Sequence, residues 1–193
     1  MVIEPTGIDG LSLLRWNPAH DLRGSFARLF CSAEAEAAGL PFEVVQTNLS
    51  ENHSARTLRG MHYQRAPHAE AKIVFCLTGR MWDVAVDMRE DSPTHLKWRG
   101  FELAAGQPTA VHIAAGLAHG YLTLEPDTKV LYLIQGRYVP EAATGFRWDD
   151  PAIDIRWPVF PDVISPRDCS FPLLDPVPGA DRNPSAPEKG GQR

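Results

Sequence analysis

The sequence predicts an all-β protein, either a sandwich or a barrel. Short runs rich in Val, Ile, Leu and aromatic residues recur along the chain, and turn residues bound each of them. The 17 prolines and 15 glycines are spread through the 193 residues and interrupt every long apolar pattern. The runs do not alternate with helical segments, which argues against a βαβ architecture. We therefore expect a single β domain over residues 1–175.

The turns between the predicted strands fit this class. Thr78-Gly79 separates two strands closely enough to predict a hairpin, and Glu125-Pro126-Asp127 predicts a hairpin between another pair. The predicted strands, in chain order, are residues 11–16, 42–50, 57–64, 71–77, 80–88, 119–124 and 129–135.

One segment between the first two strands is predicted to be helical. Ser32 is placed to cap it, Glu34 and Glu36 favour its positive end, and Gly39-Leu40-Pro41 ends it. After about residue 172 the chain becomes rich in Pro, Gly and charge and has few large apolar residues. We expect residues 176–193 to form a poorly ordered tail.

Composition argues against several classes of protein. The 19 Lys+Arg against 24 Asp+Glu give a net charge of -5, which disfavours binding to nucleic acid or to an anionic membrane. No run of about 18 apolar residues is present, so no membrane span is predicted. The N-terminus lacks the basic start and apolar stretch of a secretory signal. Three cysteines without CxxC spacing predict a reducing cytoplasm, and they disfavour a disulfide framework or a zinc cluster.

Polar side chains are dense within the predicted strands. Burying them is costly unless they pair with each other or with a ligand, so we favour a barrel interior lined by them. Arg59 and His62 have opposite parity and can face one cavity only if the strand bulges, for which Gly60 is suited. The polar strand residues are Gln46, Asn48, Arg59, His62, Gln64, Lys72, Asp83, His119 and Tyr132.

Lys72 opens a strand that is apolar on both faces. It shares a face with Val74 and Cys76, whereas Ile73 and Phe75 face the opposite way. The strand is therefore predicted to be buried on both sides. Its lysine lies either at a solvated strand end, which is the commoner case for a lysine considered alone, or inside a polar cavity.

A metal site is the minority interpretation of the seven histidines. Neither His-x-His nor His-Glu-x-x-His is present. His62 and His119 could supply two ligands and His112 a third, but no acidic fourth ligand is obvious.

Ordered short motifs point to one family. Their order and spacing from about residue 20 to about residue 175 resemble the dTDP-4-dehydrorhamnose 3,5-epimerase family and its sugar-nucleotide epimerase relatives. The resemblance implies a cupin-type jelly-roll β-barrel, usually a homodimer, that epimerises a 4-keto sugar nucleotide without a metal or nicotinamide cofactor. The motifs lie at residues 21–26, 46–50, 58–64, 72–74, 83–89, 92–94, 116–120, 131–132, 138–140, 157–158 and 165–168.

The resemblance also implies residue roles. His62 matches the catalytic base, and Asp168 matches the carboxylate that is paired with it. Lys72 matches the cation beside the keto oxygen, and Tyr132 matches the proton donor on the opposite face of the sugar. The implied substrate-binding residues are Arg23, Phe26, Gln46, Asn48, Arg59, His119, Tyr138 and Arg167.

Two positions depart from the family pattern. Arg28 and Thr144 stand where relatives often carry glutamate on the nucleotide side of the ligand. Thymidine diphosphate is the expected carrier, and GDP or another nucleotide stays open. Whether C3 alone or both C3 and C5 invert also stays open.

Three function classes are weighed against each other. The first is an isomerase, the second a metal-dependent cupin oxygenase using His62, His119 and a carboxylate, and the third a non-catalytic sugar-nucleotide binder. Binding alone does not need an acid and a base on opposite faces of the ligand. The residues therefore favour the isomerase.

Overall fold

A computed structural model of the chain describes residues 1–174, and within them two large sheets of mainly antiparallel strands lie face to face. The strands are β1 (Val2–Pro5), β2 (Leu11–Arg15), β3 (Ala19–Asp21), β4 (Gly24–Phe26), β5 (Gln46–Asn52), β6 (Thr57–Gln64), β7 (Ala71–Thr78), β8 (Arg80–Asp87), β9 (Trp98–Ala104), β10 (Thr109–Ile113), β11 (Leu117–Thr123), β12 (Thr128–Gln135), β13 (Ala143–Gly145) and β14 (Val163–Ile164). The helices are α1 (Ser32–Ala37) and α2 (Pro166–Ser170).

Strands that follow each other in the chain mostly lie in different sheets. Sheet I has the order β1-β2-β10-β7-β12-β5, and sheet II has the order β13-β6-β11-β8-β9, with β14 parallel to β6. The chain crosses between them at β5–β6, β6–β7, β7–β8, β9–β10, β10–β11, β11–β12 and β12–β13. This pattern is a jelly roll. The all-β cupin-type prediction is confirmed.

The two predicted hairpins are wrong for the same reason. Gly79 joins β7 of sheet I to β8 of sheet II, and residues 124–127 join β11 of sheet II to β12 of sheet I. Each turn is a corner between sheets rather than a link between paired strands. Gly79 fits that corner because its φ is +73° and a Cβ there would lie 2.3 Å from Oγ1 of Thr128.

The predicted helix forms, but its cap is not the predicted one. Cys31 is the N-cap residue and makes no side-chain capping bond, whereas Ser32 is the first helical residue. The sequence interpretation missed α2. There Ser165 is the N-cap, its hydroxyl accepts from the Asp168 N–H at 3.1 Å, and Pro166 follows at the first helical position.

Apolar side chains form three packed groups. One fills the space between the sheets and includes Val74, Met81 and Val130. A second covers the outer face of sheet II, where Phe146 and the Ile153–Ile155 segment pack. A third covers the outer face of sheet I beneath the α1 segment. Strand β7 separates the first group from the third and is buried on both faces, as predicted.

The predicted tail, residues 176–193, lies outside the described residues. Within residues 1–174, no helix is long and apolar enough to cross a membrane.

His112 is buried in the outer face of sheet I against the Phe42 ring, with centroids 6.1 Å apart. Desolvation lowers its pKa from an ordinary value of 6.5 to about 4. Because the folded-state pKa lies below the unfolded-state value, the stability that follows from keeping this imidazole neutral is complete above pH 6.5. That stability is lost as the pH falls towards 4.

We expect His112→Leu to flatten the acid limb of the stability profile. Between pH 6.5 and pH 4 the wild type should lose about 3 kcal/mol more unfolding free energy than the variant. Urea titrations at several pH values measure this difference. His53→Leu, which removes an exposed imidazole, is the matched control and should follow the wild type. Parallel profiles for wild type and His112→Leu would contradict the prediction.

Candidate active site

A cavity of ≈ 600 Å³ opens between the two sheets at one end of the barrel. Its wall combines side chains from β5, β7 and β12 of sheet I with side chains from β6 and β11 of sheet II. Apolar packing fills the rest of the space between the sheets, so this end is where the polar strand residues collect. The predicted site residues that line it are His62, Lys72, Tyr132, Asp168, Asn48, Arg59, His119, Tyr138 and Arg167.

His62 on β6 is bonded to Asp168 on α2. Its Nε2 lies 2.7 Å from Asp168 Oδ1, and the other carboxylate oxygen accepts from the Gly60 N–H at 3.1 Å. Burial raises the pKa of the Asp168 carboxyl, but the hydrogen bond and charge of His62, with the Gly60 and Ser165 bonds, outweigh it and hold the pKa below 3.8. Asp168 is therefore a carboxylate that accepts from the imidazole and fixes its tautomer.

The bulge predicted at Gly60 is present. His62 pairs with His119 and Arg59 pairs with Tyr121, so β6 carries one residue more than β11 between these pairs. Gly60 has a φ of +143°, and a Cβ there would lie 2.6 Å from the Gly120 Cα. The extra residue brings Arg59 and His62 to the same face, which regular alternation would prevent.

Lys72 is buried and paired. Its Nζ lies 3.2 Å from Glu70 Oε1, and the other oxygen of Glu70 accepts from Gln64 Nε2 at 3.0 Å. Of the two placements left open for this lysine, the cavity is the correct one. The sequence interpretation missed Glu70 because it precedes the strand and its position had no predicted face.

Tyr132 approaches the cavity from sheet I, whereas His62 belongs to sheet II. Burial raises the pKa of the Tyr132 hydroxyl well above 10, and the Tyr121 hydroxyl and the Asp83 carboxylate raise it further. Tyr132 is therefore a neutral phenol that can donate a proton. The sequence interpretation also missed Tyr121, although it lies two residues after His119 and so faces the same side.

His119 forms a second imidazole–carboxylate pair, with its Nε2 2.6 Å from Asp83 Oδ2. His119 is 5% exposed and Asp83 fully buried. The imidazoles of His62 and His119 thus each hydrogen-bond a separate aspartate through Nε2. Within the described part of the chain, no group of three His, Cys, Asp or Glu is arranged to hold a metal ion.

Three predicted substrate-binding residues do not reach the cavity of their own chain. Gln46 lies on β5, the edge strand of sheet I, and its side-chain amide donates to the Gly136 carbonyl at 3.0 Å. Arg23 and Phe26 lie on the β3–β4 hairpin, where Arg23 pairs with Asp21 and the Phe26 side chain is 74% exposed. Of the two departures from the family pattern, Thr144 lines the cavity, whereas Arg28 pairs with Glu34 outside it.

Comparison with known proteins decides the family. The family model described as dTDP-4-dehydrorhamnose 3,5-epimerase matches residues 5–176. The chain belongs to the dTDP-4-dehydrorhamnose 3,5-epimerase family. It is an isomerase of the epimerase type, and the resemblance seen in the sequence is confirmed.

Relatives of this family match over nearly the whole chain. The dTDP-4-dehydrorhamnose 3,5-epimerase of Sinorhizobium fredii is 37% identical, covering 92% of each chain. A dTDP-4-dehydrorhamnose 3-epimerase of Streptomyces niveus is 34% identical over 90% of this chain and 84% of its own. The crystal structure of the Bacillus anthracis 3,5-epimerase with TDP and PPi bound superposes with a TM-score of 0.86 at 35% identity, covering 89% of this chain and 98% of that one.

We expect Gly60→Ala to cost more stability than a positive φ alone explains. The new Cβ would meet the Gly120 backbone, which cannot rotate away. Gly24→Ala is the matched control, because Gly24 has a φ of +124° but nothing within 4 Å of its Cβ position. The control should lose about 1–2 kcal/mol of unfolding free energy, and Gly60→Ala about 1–3 kcal/mol more. Equal losses in urea titrations would show that close packing does not hold the bulge.

Proposed function

We propose that the protein epimerises a 4-keto-6-deoxyhexose nucleotide, namely dTDP-4-dehydro-6-deoxyglucose, at C3 and C5, as in deoxysugar biosynthesis. One observation carries the proposal. An imidazole bonded to a carboxylate lies on sheet II, a neutral phenol lies on sheet I, and an ammonium lies in the same cavity. A ring held between the sheets meets a base on one face and an acid on the other.

His62 is the general base. Asp168 occupies the Nε2 side of the ring, so Nδ1 keeps the lone pair that takes the proton alpha to the ketone. A positioned base of this kind contributes about 10²–10⁴-fold to the rate. The Asp168 carboxylate then stabilises the imidazolium that forms, and partial exposure of the His62 side chain lets that proton pass to solvent.

Lys72 and Tyr132 complete the inversion. The Lys72 ammonium, held in place by Glu70, stabilises the negative charge that develops on the C4 oxygen of the enolate. Tyr132 then donates its proton to the carbon from the opposite face. Removal on one face and return on the other inverts the centre.

Two arginines and a tyrosine in the cavity wall are suited to bind the nucleotide. Within residues 1–174, no carboxylate forms an ion pair with Arg59 or Arg167 at the cavity wall. Arg59 donates from Nε to Asn52 and from Nη2 to the Glu51 carbonyl, which leaves its Nη1, together with the Arg167 guanidinium, for a diphosphate. Tyr138 is 56% exposed beside them and offers a face for the base or sugar. The Bacillus anthracis relative was solved with TDP and PPi bound, which supports a thymidine carrier.

Epimerisation at C3 alone is the second candidate. A relative named as a 3-epimerase matches almost as well as those named as 3,5-epimerases. The family resemblance implies that the same His and Tyr serve both outcomes. The number of carbons that exchange their hydrogen with solvent separates the two.

We also propose a homodimer in which the β3–β4 hairpin enters the partner's cavity. Every residue of both hairpin strands is exposed, and Leu22 at the tip of the hairpin is fully exposed. Large apolar side chains in that position are typical of an interface. The surface pair between Arg23 and Asp21 is weak, so Arg23 can exchange it for a diphosphate. The three unpaired cysteines support a cytoplasmic location.

Incubation with dTDP-4-dehydro-6-deoxyglucose in D₂O should place deuterium at C3 and C5, detected by NMR. His62→Ala should reduce this uptake by about 10²-fold or more because the variant lacks the positioned general base. Its affinity for dTDP, measured by calorimetry, should stay near the wild-type value. His53→Ala, outside the cavity, is the control and should exchange normally.

The pattern of label distinguishes the alternatives. Deuterium at C3 alone would select the 3-epimerase. Substantial exchange by His62→Ala would refute the assigned base. Binding of dTDP with no exchange by the wild type would favour a non-catalytic binder, and activity that depends on added metal ions would favour the oxygenase.

Mixing two inactive variants tests the hairpin. Arg23→Ala and His62→Ala each impair every cavity of their own homodimers. If the hairpin acts across the dimer, one cavity of each mixed dimer has both residues, and random exchange of subunits should restore about a quarter of the native sites. Assays after subunit exchange measure the gain. No recovery, with mixed dimers demonstrated by mass, would place the hairpin on its own subunit or outside the reaction.

A further inference from the structure

Tyr121, whose hydroxyl raises the pKa of the Tyr132 hydroxyl through its charge and hydrogen bonding, belongs to a short chain of hydroxyl groups that the proposed mechanism does not use. The Tyr121 hydroxyl lies 2.8 Å from Ser50 Oγ and 3.2 Å from Asn52 Oδ1. Tyr121 belongs to sheet II and is 1% exposed, whereas Ser50 and Asn52 belong to β5 at the edge of sheet I. Ser50, Tyr121 and Tyr132 all line the cavity.

The direction of these hydrogen bonds follows from Asn52. Its Nδ2 donates to the Thr128 carbonyl at 3.0 Å, which leaves Oδ1 as an acceptor, and Arg59 Nε donates to that oxygen at 2.9 Å. The Tyr121 hydroxyl must therefore donate to Asn52. Its lone pair is then free to accept from Ser50. The hydrogen bonds therefore run in one direction, from Ser50 to Tyr121 and from Tyr121 to Asn52.

Tyr132 needs a source of protons. Once it has protonated the sugar, a tyrosinate remains in a partly buried position near the Asp83 carboxylate, where desolvation and that charge both disfavour it. The His119 ring packs against Tyr132, with centroids 6.0 Å apart, and Val74 flanks Tyr132 on β7. Asn48 flanks Tyr132 on β5, and a sugar bound in the cavity would cover the side that faces the cavity. Direct access for water is then poor.

We propose that Tyr121 and Ser50 form a proton relay that returns a proton to Tyr132 after each inversion. The Tyr121 O–H turns from Asn52 to the Tyr132 oxygen and transfers its proton. Ser50 protonates Tyr121, and solvent at the cavity wall, where Ser50 is partly exposed, protonates Ser50. The proton taken up here balances the one that His62 releases. Tyr121 and Ser50 touch no reacting atom and are positioning residues. The relay rests on the proposed epimerase function.

Tyr121→Phe tests the relay because it removes only the hydroxyl and keeps the packed ring. Two rates are measured on dTDP-4-dehydro-6-deoxyglucose in D₂O: deuterium uptake at C3 of recovered substrate, which needs His62 and Lys72, and steady-state formation of inverted product, which also needs Tyr132 to be reprotonated. We expect uptake and KM to stay near wild type and steady-state inversion to fall about tenfold or more. A single turnover with excess enzyme should be nearly unaffected, since Tyr132 begins protonated.

Two further variants complete the test. Ser50→Ala should also keep deuterium uptake near the wild-type rate while steady-state inversion falls. It replaces Tyr121→Phe as the test if that variant does not fold. Thr109→Val removes a buried hydroxyl of β10 outside the cavity, which accepts from Arg15, and should leave both rates unchanged.

The outcomes separate the relay from the function on which it rests. Inversion by Tyr121→Phe and Ser50→Ala at the wild-type rate overturns the relay alone. An equal fall of uptake, single-turnover and steady-state rates shows a structural role and also overturns the relay. A wild type that neither exchanges nor inverts overturns the proposed function, and the relay with it.

Discussion

The contact between His62 and Asp168 is the one on which the site depends. It joins a strand of sheet II to a helix more than a hundred residues later, because Asp168 lies on α2 and its two oxygens accept from the His62 ring and the Gly60 N–H. The same carboxylate therefore orients the His62 ring and fixes the backbone at the bulge. The bulge in turn brings Arg59 to the cavity. Losing this one group would disturb the His62 ring, the strand and the position of the Arg59 guanidinium together.

Most buried polar groups at the polar end of the barrel have a partner within the wall, although Asp83 Oδ1 is buried without one among the described residues. Lys72 has Glu70, Glu70 has Gln64, His119 has Asp83, and the Gln64 amide oxygen accepts from the Val139 N–H. Burying such groups unpaired would cost several kcal/mol each. The pairs also hold the side chains in place before substrate arrives, which is the arrangement that stabilises a transition state without reorganisation.

Much of the fold and the site could be predicted from local patterns. The period-two alternation of residues 71–77 gave the right faces for Lys72 and Val74, and the parity conflict between Arg59 and His62 located the bulge at Gly60. The pairing of strands could not be obtained this way. Thr78-Gly79 has the residues of a tight turn whether the next strand pairs with the first or crosses to the other sheet, and only packing across the whole barrel decides between them.

Contacts in the site between residues far apart in the sequence could not be predicted from local patterns either. Asp168 could be named only through the family resemblance, because no local pattern connects it to His62. Ser50 and Asn52 carried a usable signal, since they continue the alternation of Gln46 and Asn48 along β5, but Tyr121 reaches them from the facing sheet. Arg23 and Phe26 lie outside the cavity of their own chain, and a single sequence does not show which copy of the chain a residue serves.

The two imidazole–carboxylate pairs show that chemical identity does not determine a role. His62 and His119 are directly opposite each other on adjacent strands, and the Nε2 of each lies within hydrogen-bond distance of an aspartate oxygen, at nearly the same distance. They differ in access. The His62 side chain is 39% exposed and that of His119 only 5%. A base must take a proton from substrate and give it to solvent in every cycle, which the exposed imidazole can do and the enclosed one cannot. His119 instead contacts the rings of Tyr121 and Tyr132, and this packing restricts where the two rings can lie.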